Sequence, residues 1–320
     1  MSLWPTRDAP SLDAALRDVT AKNVRARVAA AQVLGSAPPE ARQRAIDALL
    51  RLCDDPGGTV RYSAMLSLAD LGAREAVARL LDGLDDGTGP VRQAAILALA
   101  EIGDPSVVDR LARACSDERP EVRFQALSAI ARLDRERAVS PVRAALSDPD
   151  PEVRAQACEV FEEIGGADVR AAVAPLVDDP DPRVRLAAAA AIGRLGHAAG
   201  ADVLLAALGS DDTFLDAADI LGRLGEERAI APLRARLRRW LGHPLLKVAA
   251  AGALHRLGVP EGRAYLLSSL AGRRWEVKGF AAELCAELGI VEARAHLERL
   301  QAHPGPLDPD TIAAALARLA

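Results

Sequence analysis

Aromatic side chains are scarce in this sequence: four Phe, three Trp and two Tyr make up 3% of its 320 residues. A core of conventional composition at that length is excluded, and the interior has to come from Ala, Leu, Val and Ile at close contacts. Alanine alone supplies about a fifth of the chain, far above ordinary usage. Cysteine is also rare. Cys53, Cys115, Cys158 and Cys285 lie at least 43 positions apart, which excludes paired zinc or redox spacing, and a reducing, cytoplasmic setting is expected. Lysine occurs three times against 37 arginines. No uninterrupted apolar run approaches 18 residues, so no ordinary membrane span is expected. The opening MSLWPTRDAP lacks a basic segment followed by an apolar one, so no secretory signal is expected either. The net charge of −5 is too mild for whole-molecule attraction to nucleic acid or acidic lipid. With 50% hydrophobic residues evenly spread, disorder is excluded.

What the chain does contain is a repeat. Val-Arg recurs at Val60-Arg61, Val91-Arg92, Val122-Arg123, Val153-Arg154 and Val184-Arg185, always 31 residues apart. Degenerate copies follow at Thr213-Phe214, Leu246-Lys247 and Val277-Lys278. An earlier copy falls at Ala26-Arg27 or, in a competing register, at Val24-Arg25. The fifth residue of each of the eight later copies is Ala (64, 95, 126, 157, 188, 217, 250 and 281). The twelfth is Leu or Ile, and the thirteenth is Gly except at Asp134. Apolar residues at offsets 0, 4, 8 and 11 share one face of a helix. An obligatory Ala there marks a helix crossing too close for a larger side chain. The Gly reads as a left-handed C-cap, a conformation Asp134 would adopt at some cost. A second helix follows, with its own apolar column at Leu80, Leu111, Val142, Val173, Leu204, Leu233, Leu266 and Leu297. Asp-Pro turns restart the first helix, placing Pro120, Pro151 and Pro182 in its opening turn.

Asp55, Asp86, Asp117, Asp148 and Asp179 each stand six residues before Arg61, Arg92, Arg123, Arg154 and Arg185. The expected role is structural: each Asp accepts backbone donors in its turn, while the Arg bridges neighbouring turns as a ladder. The expectation is an all-α, right-handed α-solenoid of about nine helical hairpins filling residues 11–320 as one array. Within it, 11–20 forms a capping helix, the repeats span about 21–307, and 309–320 forms a final helix. Residues 1–10 are left as a tail.

Strings such as DPDPEVRAQACEVFEEIG and DPDPRVRLAAAAAIGRLG resemble the HEAT-repeat family, specifically its short repeats typified by phycobilisome lyase subunits. The resemblance implies first helices on a convex side and second helices lining a concave one. It is highly specific for fold and poorly so for function, because such proteins are mostly binding scaffolds.

Some proteins of this fold are enzymes, so the chemistry-bearing residues require inspection. HEAT-repeat iron hydroxylases hold metal with His-Glu dipeptides, whereas the five histidines here precede Ala198, Pro244, Arg256, Leu297 and Pro304. No two histidines are four apart, the glycines are spent on helix ends, and no serine sits in a nucleophile elbow. Cys53, Cys115 and Cys285 replace aliphatic residues, which favours burial over reactivity; the column of Cys158 is variable. No catalytic residue, metal ligand or cofactor site is expected.

Residues 228–278 break the charge pattern, with eleven Arg and Lys against Glu261 and Glu276, +9 in a chain of −5. Trp240 and Trp275 lie inside this segment. A basic, aromatic-bearing stretch can hold phosphates and stack bases, which makes nucleic-acid binding the alternative reading. Trp240 falls on the core face of its helix by periodicity, whereas Trp275 takes the place of an opening Pro and reads as an exposed anchor. On the second helices, the positions opposite the apolar column carry small residues in the middle of the chain: Ser140 and Ala144, Ala171 and Pro175, Asp202 and Ala206, Ala231 and Ala235, then Ser268. Arg143, Leu205, Arg234, Arg238 and Leu267 flank them. Such a floor fits a groove for a partner helix or extended segment. The expected function is a non-enzymatic scaffold that binds another protein through this face and the basic C-terminal third. A third possibility, implied by the family resemblance alone, is a lyase-type subunit assisting bilin attachment.

The repeat spacing also falters, with 29 residues from Val184 to Thr213 and then 33 to Leu246, and the Asp row ends there. A change of superhelical twist is expected between 208 and 246, next to the basic segment.

Overall fold

The computed structural model describes residues 11–166 and 168–319, so the expected tail at 1–10 lies outside the described residues. The described chain is all-α. Nine first helices alternate in sequence with nine second helices, running from Val24–Gly35 to Arg294–Ala302. Leu12–Asp18 precedes them and Pro309–Arg318 follows. The chain forms two compact units, Met1–Gly166 and Ala167–Ala320.

The columns read from the sequence become the interior. All eight Ala of the fifth position are at most 1% exposed, and the eight residues of the second-helix column are all at 0%. The close approach is visible at the glycines. A Cβ on Gly83 would lie 2.9 Å from that of Ala95, and one on Gly200 would lie 2.4 Å from that of Ala189. The twelfth residues sit at the helix ends and are less covered, with Leu195 exposed.

Helix ends follow the cap chemistry except at one point. The seven glycines of the thirteenth position all have φ between 57° and 80°, the left-handed region that suits glycine. Asp134 does not adopt it. Its φ is −153°, and it ends Pro120–Leu133 while capping Arg135–Ala145, its side chain accepting from Arg137 N at 3.0 Å. The expected strained cap is thus replaced by a carboxylate that serves as N-cap for the next helix. Elsewhere a short 3₁₀ turn usually opens the second helix, as at Arg74–Ala76 before Val77–Gly83. In Val169–Val173 the α-helix stops early and passes into a 3₁₀ segment containing Pro175, which has no N–H for an α-helical bond.

Candidate functional site

The Asp and Arg rows form two interlocked sets of hydrogen bonds. Each Arg Nη donates back to the carbonyl six residues earlier in its own turn: Arg61 to Asp55, Arg92 to Asp86, Arg123 to Asp117 and Arg154 to Asp148 at 2.8–2.9 Å, and Arg185 to Asp179 at 2.8 Å. The remaining nitrogens reach forward. Arg61 Nε donates to Asp86 at 2.8 Å, and Arg123 Nε to Asp148 at 2.7 Å. Arg27, and not Arg25, begins the series, with Nε 2.6 Å from Asp55. The carboxylates also accept from backbone N–H groups, Asp55 from Gly57 and Asp148 from Asp150. Charge-assisted bonds from Arg61 hold the Asp86 carboxyl down to about 2. At Asp148 burial pushes the carboxyl up, but the bond from Arg123 and the N–H of Asp150 outweigh it.

One rung is rerouted. Asp117 is held by its near neighbour Arg119 at 2.7 and 2.8 Å, and Arg92 turns to Glu121 at 2.5 Å. Arg92 Nε is left buried without a hydrogen-bond partner. These rows are architecture, with their charges directed at one another.

The residues expected to meet a partner on the second helices are exposed where they are small: Ser140, Ala144, Ala171, Pro175, Ala206, Ala231, Ala235 and Ser268. Leu205 and Leu267 are half-buried beside them. The charged members are largely engaged, with Arg234 3.0 Å from Glu261 and Asp202 2.7 Å from Arg228. Arg143 lies 5.3 Å from the Phe161 ring centroid, while Arg238 is exposed and forms no ion pair among the described residues.

The two tryptophans exchange the positions expected of them. Ile230–Arg238 ends before Trp240, which is 93% exposed with Leu241 beside it at 83%. The helical period that placed Trp240 in the core does not extend past Arg239, where ψ turns to 123°. Trp275 is half-buried and packs on the adjacent core. Gly305 lies so close that a Cβ there would be 2.6 Å from its ring, and Lys278 Nζ stands 4.3 Å from the centroid. It is not the exposed anchor expected.

The sequence reasoning missed two grooves on first helices, where the family resemblance implied a convex face. In the first unit a groove of about 560 Å³ crosses the opening turns of Gly89–Ile102, Pro120–Leu133 and Pro151–Ile164. Ile96, Val122, Phe124 and Val153 provide its apolar lining; its rim carries Asp150 and Glu152, together with Glu121 paired to Arg92. In the second unit a groove of about 320 Å³ runs over Leu215, Ala249, Phe280 and Leu284. There Arg256 joins Asp219 at 3.0 Å and Glu287 at 2.7 Å, and Arg223 reaches Glu287 at 2.7 Å. A signal was available: the third residue of the repeat, outside the four core offsets, is apolar and bulky at Tyr62, Phe124, Leu186 and Leu215.

The residues with reactive potential are enclosed or dispersed. All four cysteines are buried, and burial pushes Cys53, Cys115 and Cys285 up to about 12. His255 is lowered by burial. No group of His, Cys, Asp and Glu that could hold a metal occurs among the described residues, and no described helix is long and apolar enough to cross a membrane.

Stacked Ala-notched hairpins tied by an Asp–Arg ladder define a helical-repeat protein. The chain belongs to the HEAT-repeat family: HEAT repeats match at residues 10–100, 78–148 and 139–217, and a PBS lyase HEAT-like repeat at 215–239. YibA of Escherichia coli is similar in fold, with a TM-score of 0.57 at 20% identity over 78% of this chain and 93% of that one. Importin beta gives 0.53 at 14% identity, over 96% of this chain and 52% of its own. The complex of CpcE and CpcF of phycocyanin lyase from a Nostoc species gives 0.37 at 21% identity, over 84% and 97%. No curated protein matches the sequence.

Proposed function

We propose that this protein is a non-enzymatic scaffold that binds an extended or helical segment of another protein. The groove over three consecutive first helices of the first unit carries the reading. Its floor is apolar, Phe124 is half-buried within it, and its rim is acidic. An occupant with apolar anchors and flanking Lys or Arg matches that chemistry. The small, exposed second-helix residues from Ala171 to Ser268 offer a second contact surface where a partner backbone could approach closely. Buried, reduced thiols suit a cytoplasmic setting. Nucleic-acid binding is weakened as an alternative, because Arg228, Arg234, Arg236, Arg256 and Arg263 of the basic segment are paired with carboxylates. The lyase-type role rests on the family resemblance alone.

A displayed peptide library panned on the full chain tests this reading. Basic segments with apolar anchors should be enriched, and Phe124→Asp should weaken the selected peptides at least about tenfold by burying a charge in the floor. Enrichment indifferent both to Phe124→Asp and to Ala235→Glu would remove it.

A further inference from the structure

The turn leading into Pro244–Arg256 has the opposite character from its counterparts in the first unit. There the turns carry Asp54 and Asp55, Asp85 and Asp86, and Asp148 and Asp150. Here the sequence reads Arg238-Arg239-Trp240-Leu241-Gly242-His243. Trp240 and Leu241 are 93% and 83% exposed, and no other exposed large hydrophobic side chain among the described residues exceeds 62%. Lys247 lies against the same turn, its Cε 3.7 Å from where a Cβ on Gly242 would stand.

The next turn adds Arg273 and Arg274, both exposed. First helices Pro244–Arg256 and Trp275–Glu287 pack side by side, and their C-terminal ends are joined by Arg256 and Glu287. Their opening turns therefore share one edge of the second unit. Of the eleven cations in 228–278, the five paired ones lie on helix faces. Among the described residues Arg238, Arg239, Lys247, Arg273, Arg274 and Lys278 form no ion pair; Arg239 and Lys247 belong to the Trp240 turn and its following helix, Arg273 and Arg274 to the next turn, and Lys278 lies over the Trp275 ring. Asp211 is engaged by Arg236 at 2.5 Å, and Glu276 is the one acid in the opening turn of Trp275–Glu287.

We propose that this edge is a docking tip for an anionic membrane surface. Trp240 and Leu241 enter the interfacial region while the unpaired cations meet anionic headgroups. A protruding apolar pair has no cleft of its own and must enter something else. Trp is suited to the headgroup level and Leu to the hydrocarbon boundary. Leu offers no base stacking, and cations spread along two turns match a diffuse anionic surface better than a single phosphate. Peripheral association of this kind needs no spanning helix, and it goes beyond the scaffold reading without depending on it.

The test is co-sedimentation of the full-length protein with phosphatidylcholine–phosphatidylserine vesicles, alongside vesicles of phosphatidylcholine alone. Binding is expected only with the anionic lipid, weakening as salt rises. Arg273→Gln and Arg274→Gln should each reduce it about fivefold. Trp240→Ala/Leu241→Ala should reduce it about tenfold or more, with helix content by circular dichroism unchanged because both side chains are exposed. Tryptophan emission should shift to the blue on adding anionic vesicles, and Trp240→Phe should abolish the shift. Failure to sediment with anionic vesicles, or full binding by the double Ala variant, overturns the proposal. Binding of a short DNA duplex that depends on the same residues, with vesicles left unbound, assigns the edge to nucleic acid and overturns it as well.

Discussion

At the scale of single residues, the constant six-residue offset between Asp and Arg has a geometric cause. It is the span of the bond from the Arg guanidinium to the Asp carbonyl within one turn, while the Asp86 and Asp148 carboxylates pair with an Arg 25 residues before them. The linkage to pH follows. Asp86 is held at about 2, below its unfolded value near 3.8, so its contribution is whole above that value and lost as pH falls through about 2. A stabilisation on the order of 2 kcal/mol is involved. Urea titrations should show stability falling between about pH 4 and pH 2, and Asp86→Asn should flatten that fall. Arg123 and Asp148 are similarly enclosed, with side chains 11% and 8% exposed. Arg123→Ala should therefore cost about 2–4 kcal/mol by the same titration, because Asp148 is left buried without its partner. Arg119→Ala should behave differently. It releases Asp117 to the unpartnered Nε of Arg92, so stability should stay within about 0.5 kcal/mol of the parent or rise.

At the scale of helices and turns, most of the architecture was legible because it rests on side-chain size and backbone handedness. The Ala column, the second-helix column and the glycine caps each answer to one local requirement. Asp134 was misread because aspartate suits the end of one helix and the start of the next equally well in sequence. Asp134→Ala should lower the melting temperature through loss of a cap worth about 1 kcal/mol. Gly200→Ala should cost more, since its new methyl would stand 2.4 Å from the Cβ of Ala189. Trp240 was misplaced because helical periodicity has no knowledge of where a helix stops, and Gly242 and Pro244 lie just beyond. The groove around Phe124 was missed because its residues fall outside the core offsets. Their exposure depends on how three helices lie together, which no single repeat reveals.

At the scale of the whole chain, two consecutive glycines of positive φ, Gly165 at 76° and Gly166 at 123°, stand where the first compact unit ends. A broad-specificity protease at low dose should cut first between residues 163 and 168, leaving two fragments of similar length by mass spectrometry. Resistance there, with cleavage elsewhere, would mean the boundary is as protected as the helices around it. The ladder has a further consequence for how such a chain can grow. Because Arg27, Arg61 and Arg123 are each matched to an Asp in the following copy, a tandem duplication of one such 31-residue block supplies the new partners ready aligned. Lengthening by copying is thus nearly free of adjustment among the early blocks. Beyond Thr213, where the aspartates are missing, an inserted block would find nothing to clasp.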